Sequence, residues 1–404
     1  NVTQGSFGPF ARPEGEWGWS FDGDGDYLTL AASSDFAPGT GAYTVEFFIN
    51  TTAVSGWLFY NAADNTGIRI CIGSNGGSGN DGKIQINEQV GNTDNITNGS
   101  TRIDDGQWHH VAISRVASAA TKIYIDGTLD ATGAADLNLA SGSNNLEIGR
   151  RTNNGGVSFL GTLSNLRFVK GTGIYTGNFT PSTSPLTAVT NTKLLTCQSN
   201  RFVDNSASAH TITPSGTASV SAFGPFLTSK VYDPAVNGAS AYFDGNGDYL
   251  KNTNNNTDLK FGTGDLTVEF WLYLNQIGVV QYPFDTRQSP NGDGGGIQVA
   301  ILANNTMWVD MDGAGITLQT SLTLKANEWT HVALTRASGT WRFFFNGVLN
   351  SGTGSDSGNI TGGYLSVGTS ATRNTADTDD KIKGYMSDVR VVKGTAVYTS
   401  AFTP

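Results

Sequence analysis

The sequence Phe21-Asp22-Gly23-Asp24-Gly25-Asp26-Tyr27-Leu28 returns later in the chain as Phe243-Asp244-Gly245-Asn246-Gly247-Asp248-Tyr249-Leu250. Other stretches return in the same order: 44–47 as 267–270, 108–115 as 329–336, and the closing stretch 159–181 as 382–404. Collinear self-similarity on this scale is the signature of a duplicated structural unit. We therefore expect the 404-residue chain to fold as two copies of one domain.

The repeated stretches alternate apolar and polar residues with a period of two, which is typical of half-buried β-strands. The residues that share one face are Tyr43, Val45, Phe47 and Ile49 in the first copy, and Leu266, Val268, Phe270 and Leu272 in the second. The Asp-Gly pair at 126–127 and the Asn-Gly pair at 346–347 are typical of tight hairpin turns. No segment shows a sustained helical period. The predicted fold class is all-β, with two antiparallel two-sheet sandwiches or jelly rolls.

The composition of the chain limits the classes of partner that it is expected to bind. Hydrophobic residues make up 38% of the chain, which is enough for packed cores. The net charge is −10 and no basic cluster interrupts it, so nucleic acid is disfavoured as a partner. No run of about 18 apolar residues is present, so no membrane insertion is expected. Cys71 and Cys197 lie at non-equivalent places without metal-type spacing, which favours small buried apolar residues.

The order of the motifs resembles a known family. Phe-Asp-Gly-x-x-Asp-Tyr-Leu, Thr-Val-Glu-Phe, Trp-x-His-Val-Ala, a strand ending in Asp/Asn-Gly and a closing Gly-x-(Leu/Met)-Ser-x-(Leu/Val)-Arg together resemble the laminin-G-like, concanavalin A-like jelly rolls. The resemblance covers nearly the whole chain. The trailing Val-Lys-Gly-Thr-x-x-Tyr-Thr-x-x-Phe-Thr-Pro is similar to repeats in structural proteins of marine bacteriophages and in bacterial surface proteins.

The resemblance also sets the expected domain boundaries. Domains of this family usually open with a strand such as 193–196, followed by segments such as 204–206 and 210–213. This implies a first domain over 1–190 that lacks its opening strands and a complete second domain over 191–404. The missing strands belong either to the upstream part of a longer array or to a neighbouring chain that donates them.

Two Phe-Gly-Pro-Phe elements, at 7–10 and 223–226, are expected to act as apolar plugs at equivalent places of the two sandwiches. The Gly-Pro pair fixes the bend, and the two phenylalanine rings anchor the element.

The candidate ligand-binding residues lie on the strand face opposite the core: Glu46 and Phe48 in the first copy, and Glu269, Trp271 and Tyr273 in the second. An aromatic ring beside hydrogen-bonding groups can stack on a sugar ring. The alternative is that loops or the second sheet cover this face. The equivalent loops 74–82 and 289–296 are a second candidate surface, or plain flexible connections.

Alternating acidic residues give a candidate metal site, composed of Asp22, Asp24 and Asp26 in the first copy and Asp244, Asn246 and Asp248 in the second. Such oxygens can converge on Ca²⁺, and relatives of the resembled family often bind Ca²⁺ on a rim. The alternative is a Gly-rich hairpin whose Asp side chains bond to turn amides. No other cofactor is expected.

Catalysis is not expected, and the chain is predicted not to be an enzyme. Sandwich glycosidases need two carboxylates that flank the scissile bond, whereas each acid-bearing strand offers only one, Glu46 or Glu269. No nucleophile motif accompanies the histidines. The remaining equivalent residues are predicted to be structural: His110 and His331 as buried residues bonded to backbone, and Arg167 and Arg390 as partners of turn carboxylates.

The sequence favours a non-enzymatic structural or attachment protein of a phage virion, such as a fibre, capsid decoration or tail appendage, which also binds glycans. One alternative is a bacterial extracellular adhesin or filament subunit that assembles by strand donation. Another is a Ca²⁺-assisted carbohydrate-binding module. The expected partners are the chain itself, other virion or surface proteins, and cell-surface glycans. The expected location is a virion or the extracellular surface of a cell.

Overall fold

The computed structural model describes residues 2–5, 7–62, 66–73, 80–140, 143–151, 158–226, 239–252, 254–287, 295–311, 316–350, 354–355, 358–370 and 381–404. These ranges are almost entirely strands and turns, with two short 3₁₀ helices at Ser34–Phe36 and Thr257–Leu259. Within these ranges, no helix has the length and hydropathy needed to cross a membrane. The predicted all-β class is confirmed.

The chain divides into two compact units. The first sandwich comprises Arg12–Lys230, and the second comprises Asn1–Ala11 together with Val231–Pro404. The strands of the first sandwich are β2 (Gly18–Asp22), β3 (Tyr27–Leu30), β4 (Tyr43–Asn50), β5 (Gly56–Tyr60), β6 (Gly67–Ile72), β7 (Lys83–Val90), β8 (Thr93–Arg102), β9 (Trp108–Arg115), β10 (Lys122–Ile125), β11 (Thr128–Thr132), β12 (Leu146–Ile148), β13 (Leu160–Lys170), β14 (Thr192–Thr196), β15 (Ile212–Ser215) and β16 (Ser219–Ser221).

The strands of the second sandwich are β1 (Thr3–Gly5), β17 (Ser240–Asp244), β18 (Leu250–Lys251), β19 (Leu266–Leu274), β20 (Gln281–Asp285), β21 (Ile297–Ile301), β22 (Thr306–Met311), β23 (Ile316–Thr323), β24 (Trp329–Ala337), β25 (Thr340–Phe345), β26 (Val348–Leu349), β27 (Gly354–Ser355), β28 (Ser366–Val367) and β29 (Lys383–Lys393).

Each sandwich consists of two antiparallel sheets. In the first sandwich one sheet runs β11-β10-β9-β4-β13-β2-β16, with β14 also paired to β13, and the other runs β15-β3-β12-β5-β6-β7-β8. In the second sandwich the corresponding sheets run β1-β17-β29-β19-β24-β25-β26, with β27 on β25, and β18-β28-β20-β21-β22-β23. Apart from β14 and β15, which have no counterpart among the described strands of the second sandwich, the strand orders along the sheets match, which confirms the duplication.

The cores also match the predicted alternation. Val45, Phe47, Val111 and Ile113 of the first sandwich are fully buried, and so are their counterparts Val268, Phe270, Val332 and Leu334. Burial of these alternating side chains between the two sheets supplies the main driving force for folding of each sandwich.

The structure divides the chain differently from the sequence analysis, which placed 1–190 in the first domain and 191–404 in the second. Strand β14 pairs with β13, β15 pairs with β3 and β16 pairs with β2, so residues 192–221 complete the first sandwich. The first copy therefore has its closing strands within the same chain. The physical reason is that the motif order defines which strands a sandwich needs, but not which of two similar sheet edges they join.

The two Phe-Gly-Pro-Phe elements lie at equivalent places of the two sandwiches, but the predicted boundaries assigned each to the wrong one: 7–10 belongs to the second sandwich and 223–226 to the first. Phe7 contacts Tyr273 and Trp329 of the second sandwich, with ring centroids 5.0 and 5.6 Å apart. Phe226 contacts Phe48 of the first sandwich at 4.9 Å. The chain therefore crosses between the sandwiches near Ala11 and again near Lys230.

Candidate functional site

The predicted ligand-binding residues are buried. Their exposed fractions are 0% for Glu46, 6% for Phe48, 4% for Glu269, 7% for Trp271 and 4% for Tyr273. The plugs cover the aromatic rings, because Phe226 packs on Phe48, Phe10 on Trp271 and Phe7 on Tyr273. This corrects the expectation of an exposed face that stacks on a sugar ring.

Glu46 lies instead at the centre of a buried polar cluster. Its Oε1 atom accepts hydrogen bonds from Nε and Nη2 of Arg167, at 2.9 and 2.6 Å. Its Oε2 atom lies 3.2 Å from Nε2 of His110 and accepts a 2.7 Å hydrogen bond from the Tyr175 hydroxyl. Four elements that are far apart in sequence are thereby joined through one carboxylate.

The second sandwich repeats this cluster around Glu269. His331 and Tyr398 contact Oε2 at 3.2 and 2.9 Å, and Nε of Arg390 donates to Oε1. The predicted partners are therefore corrected in both copies: each histidine side chain bonds to a glutamate rather than to backbone, and each arginine pairs with a strand glutamate rather than with a turn carboxylate.

The electrostatics of the cluster favour a structural carboxylate. Burial raises the pKa of Glu46, but the hydrogen bond from His110 and the positive charge of Arg167 outweigh burial and leave the pKa below its ordinary value. Burial and the neighbouring carboxylate raise the pKa of Tyr175, so the phenol stays protonated. No second carboxylate contacts Glu46 among the described residues. The cluster therefore has the charge balance of an internal ion pair, without the acid pair that glycoside hydrolysis needs.

A closing segment seals each cluster. The rings of Tyr175 and Phe179 stack 3.7 Å apart, and the Phe179 amide donates to the Gly127 carbonyl at 2.9 Å. In the second sandwich Tyr398 and Phe402 stack 3.5 Å apart, and the Phe402 amide donates to Gly347. Sequence reasoning did not identify the two tyrosines as partners of the glutamates. The sequence feature that could have revealed them is that both tyrosines occupy the same position in the repeated Tyr-Thr-x-x-Phe-Thr-Pro ending.

The predicted metal residues form hairpin turns. Oδ2 of Asp26 accepts the Asp22 amide at 2.9 Å, Oδ1 of Asp22 accepts the Asp24 amide at 2.7 Å, and the Thr217 amide donates to Oδ1 of Asp26 at 2.5 Å. Burial, together with the neighbouring charge of Asp22, leaves the pKa of Asp26 above its ordinary value.

The second copy repeats the turn, since Asp248 accepts the Asp244 amide at 3.1 Å and Asp244 accepts the Asn246 amide at 2.6 Å. In the described part of the chain, no group of three or more His, Cys, Asp or Glu side chains is placed to hold a metal ion. The first turn is also tied to the Thr217 hydroxyl, which lies 2.9 Å from Oδ2 of Asp22 and 3.2 Å from Oδ1 of Asp26. Calcium binding remains an untested prediction.

The outer face of the β5–β8 sheet carries a polar and aromatic cluster that sequence reasoning missed. The rings of Trp57 and Tyr60 meet edge to face at 6.0 Å, and the Arg69 guanidinium lies 5.5 Å from the Tyr60 centroid. Arg151 lies 5.2 Å from the Trp57 centroid. Asn87 is 7% exposed, and its Oδ1 atom has no hydrogen-bond partner in the described structure.

Amide side chains extend this face along β7. Nε2 of Gln85 donates to Asn98 at 2.7 Å, and Nε2 of Gln89 donates to Asp94 at 2.9 Å. The available signal was the alternation of polar residues with Ile84 and Ile86 in this strand. In the second sandwich Asp285, which pairs with Arg287, takes the place of Tyr60. The outer faces have thus diverged while the cores have not.

The candidate loops are described only in part. Residues 74–79 of loop 74–82 and residues 289–294 of loop 289–296 lie outside the described residues.

Comparison with known proteins identifies the domain type. The family model described as the concanavalin A-like lectin/glucanases superfamily, of the laminin G type, matches residues 22–172 and 244–397, which is more than half of the chain. No curated protein matches the chain.

Solved structures with a similar fold include the LG4-5 domains of the mouse laminin alpha1 chain, at 12% identity and a TM-score of 0.33, covering 97% of this chain and 94% of that one. A heptameric SAP-like pentraxin from Limulus polyphemus matches at 17% identity and a TM-score of 0.36, covering 53% of this chain and 98% of that one.

Proposed function

We propose that this chain, which belongs to the concanavalin A-like lectin/glucanases superfamily, is a non-catalytic structural and attachment protein of an outer surface. A virion is the setting that we propose first, and it rests on the resemblance of the repeated closing segment to phage structural proteins. A bacterial cell surface is the alternative setting.

One observation supports the non-catalytic part of the proposal: the strand carboxylate of each sandwich is buried and bonded to internal partners. Glu46 and Glu269 each bond to a histidine, an arginine and a tyrosine. A glycosidase needs one carboxylate that donates a proton and another that attacks or activates water, both in contact with solvent and substrate. A carboxylate whose oxygens are bonded to three internal side chains stabilises the fold instead.

The test combines activity and location. We expect the purified chain to release no reducing sugar from a panel of β-glucans, galactans and other polysaccharides, and we expect its peptides in purified particles of the source or in its surface fraction. A polysaccharide hydrolysis that is lost in the Glu46→Gln variant would contradict the non-catalytic proposal. A strictly monomeric protein that is absent from both particles and surface fractions would contradict the structural one.

Glycan binding is a second candidate function, favoured by the outer face of the first sandwich. The Oδ1 atom of Asn87 has no hydrogen-bond partner in the described structure, and a sugar hydroxyl is a donor that would satisfy it. This side chain is less than a tenth exposed, so small saccharides are the appropriate probes.

The test is a glycan array supplemented with mono- and disaccharides, with and without a chelator. We expect binding to be lost in Asn87→Ala and kept in Asn254→Ala, a control that removes an exposed amide from the second sandwich. Absence of binding in both conditions would contradict this function. Loss of binding on chelation alone would indicate Ca²⁺ assistance.

A further inference from the structure

The two sandwiches treat the polar side chains of their equivalent outer faces differently. In the second sandwich Asp285 is fully buried, and its Oδ2 atom accepts hydrogen bonds from Gln298 and Ser370, at 3.2 Å each. The first sandwich has Tyr60 at the position of Asp285 and Arg151 at the position of Ser370. A buried acid with internal partners is therefore replaced by an aromatic ring, and a cation is added beside it.

Arg69 and Arg151, together with Tyr60 and Asn87, form what we call the arginine cluster. The two guanidinium groups lie 5.5 and 5.8 Å from the centroid of the Tyr60 ring. Nη1 of Arg69 pairs with Asp94 at 3.5 Å, and no described residue forms an ion pair with Arg151. Burial, together with the positive charge of Arg151, leaves the pKa of Arg69 below its ordinary value. An anion placed between the two guanidinium groups would be attracted by both.

Several buried polar atoms of the arginine cluster have no hydrogen-bond partner in the described structure. They are three donors, namely Nε of Arg69 and both Nε and Nη1 of Arg151, and one acceptor, Oδ1 of Asn87. Asn87 lies directly opposite Arg69 in the β6–β7 ladder. Buried polar groups in folded proteins nearly always have a partner, because an unmade bond leaves the loss of water uncompensated. The cluster therefore suits a ligand that carries both acceptors and a donor.

The cluster is closest to solvent on the side of strand β8. Ile96, which lies opposite Asn87 in the β7–β8 ladder, is 52% exposed, and the side chain of Asp94 is 47% exposed. Arg69 and Asn87 themselves are only 5% and 7% exposed. A ligand that reaches them from β8 must therefore be small.

We propose that the arginine cluster binds an acidic monosaccharide, whose carboxylate accepts hydrogen bonds from Arg69 and Arg151 and whose hydroxyl group donates to Asn87. Hydrogen bonds between a guanidinium group and a carboxylate are charge-assisted and are among the strongest in proteins. The proposal rests on the glycan binding proposed above and names the class of glycan. Asp285 of the second sandwich would repel a carboxylate at the equivalent position, so we expect one site per chain.

The experiment titrates the full chain with three small probes, galacturonate, galactose and acetate, by calorimetry and ligand-observed NMR. We expect galacturonate to bind at one site per chain and at least roughly tenfold more tightly than either of the other two. Equal affinities for galactose and galacturonate would overturn the acidic ligand and leave glycan binding intact. Acetate that binds as tightly as galacturonate would overturn the role of the sugar hydroxyl. Failure of both sugars to bind would overturn this proposal and glycan binding together.

Matched variants locate the site. Arg151→Gln removes one cation, so we expect galacturonate to bind at least roughly tenfold more weakly and galactose to bind as before. Arg102→Gln removes an arginine of β8 whose side chain is 56% exposed, and we expect it to leave binding unchanged. Thermal unfolding checks that both variants are folded, and the comparison of probes on the unmodified chain does not depend on either variant. Equal losses in the two arginine variants would overturn the proposal.

Discussion

At the scale of single residues, the two glutamate clusters contain the same contacts, but these contacts contribute differently to stability because one cluster is more buried than the other. Glu46 and Arg167 are both buried, and a buried charge that loses its partner is costly because water cannot replace the partner. Arg390, by contrast, pairs with Glu269 from an exposed position, where solvent screens its charge. The two clusters therefore have the same chemistry but different energetic weight.

We expect Glu46→Gln to destabilise the first sandwich by about 3 kcal/mol, the usual cost of breaking a buried ion pair. The matched variant Glu269→Gln is expected to destabilise the second sandwich by about 1 kcal/mol, because Arg390 remains solvated. Native-state hydrogen exchange measures the free energy of opening for each sandwich separately. Equal costs for the two variants would contradict the role that we assign to burial.

The same cluster predicts a pH dependence. The folded-state pKa of Glu46 is lower than the ordinary value of 4.5, so its contribution to stability is present above pH 4.5 and is lost as the pH falls through the folded-state pKa. We expect the free energy of opening of the first sandwich to fall below pH 4.5 and to fall less steeply in Glu46→Gln. An identical slope in the two proteins, measured by hydrogen exchange across an acid titration, would contradict this.

Both cysteines are buried and free, as the sequence analysis predicted. Burial raises the pKa of Cys71 to about 12 and that of Cys197 well above its ordinary value, so neither forms a thiolate at pH 8. We expect no reaction of the native chain with a disulfide reagent over an hour at pH 8, and two thiols per chain after addition of guanidinium chloride. Rapid labelling of a native thiol would show that its burial is not maintained in solution.

At the scale of elements, the hairpin turn and the closing segment depend on each other. Gly127 has a φ of +78°, and a Cβ at this position would overlap the Phe179 carbonyl oxygen. Gly347 and Phe402 repeat this arrangement, with a φ of +77°. This position therefore requires glycine for two reasons in each copy. The backbone conformation disfavours a side chain, and the closing segment approaches too closely to leave room for one.

We expect Gly127→Ala to destabilise the first sandwich by about 2 kcal/mol or more, because the left-handed conformation and the overlap both oppose a side chain. Gly177→Ala, in the closing segment itself, is the control, since a Cβ there meets nothing within 4 Å. Thermal unfolding with tryptophan fluorescence measures both. The argument fails if the two alanine variants unfold at the same temperature.

The elements also show how far sequence reasoning extends. Period-two alternation around Val45 and Val268 was sufficient for the strands and their inward-facing residues, because local side-chain direction decides them. The partners of Glu46 were not found, because His110, Arg167 and Tyr175 meet it only through sheet pairing and segment docking. The Asp-Gly-Asp pattern was ambiguous, because a calcium loop and a capped hairpin need the same residues at the same spacing.

At the scale of the whole molecule, the main departure from the sequence analysis is the assignment of residues 192–221 and 3–10. Both sandwiches offer the same edge pattern to any segment of this type, and the repeat alone does not distinguish them. The choice is made by particular side chains, such as Phe202, which packs against Trp19 of the first sandwich at 4.8 Å. Ala241 takes the place of Trp19 in the second sandwich.

We expect Phe7→Ala to lower the stability of the second sandwich by about 2 kcal/mol, since it removes a ring that contacts Tyr273 and Trp329. The first sandwich, whose sequence begins directly after this element, is expected to be unaffected. Phe223→Ala, which removes the ring packed on Trp108, is the mirror-image control and is expected to weaken only the first sandwich. Hydrogen exchange resolved by sandwich decides between this pattern and its reverse.

The place of Phe7 also imposes an order on biosynthesis. The Phe7 carbonyl accepts a hydrogen bond from Ser240, which lies 233 residues later. At cellular translation rates, Ser240 is therefore synthesised roughly 10 to 50 s after Phe7. Meanwhile the ribosome exposes Phe48 and Trp108, the surface that residues 223–226 will occupy. A wrongly docked intermediate is thus accessible to the nascent chain, and any chain that enters it must release residues 7–10 before residues 223–226 can dock.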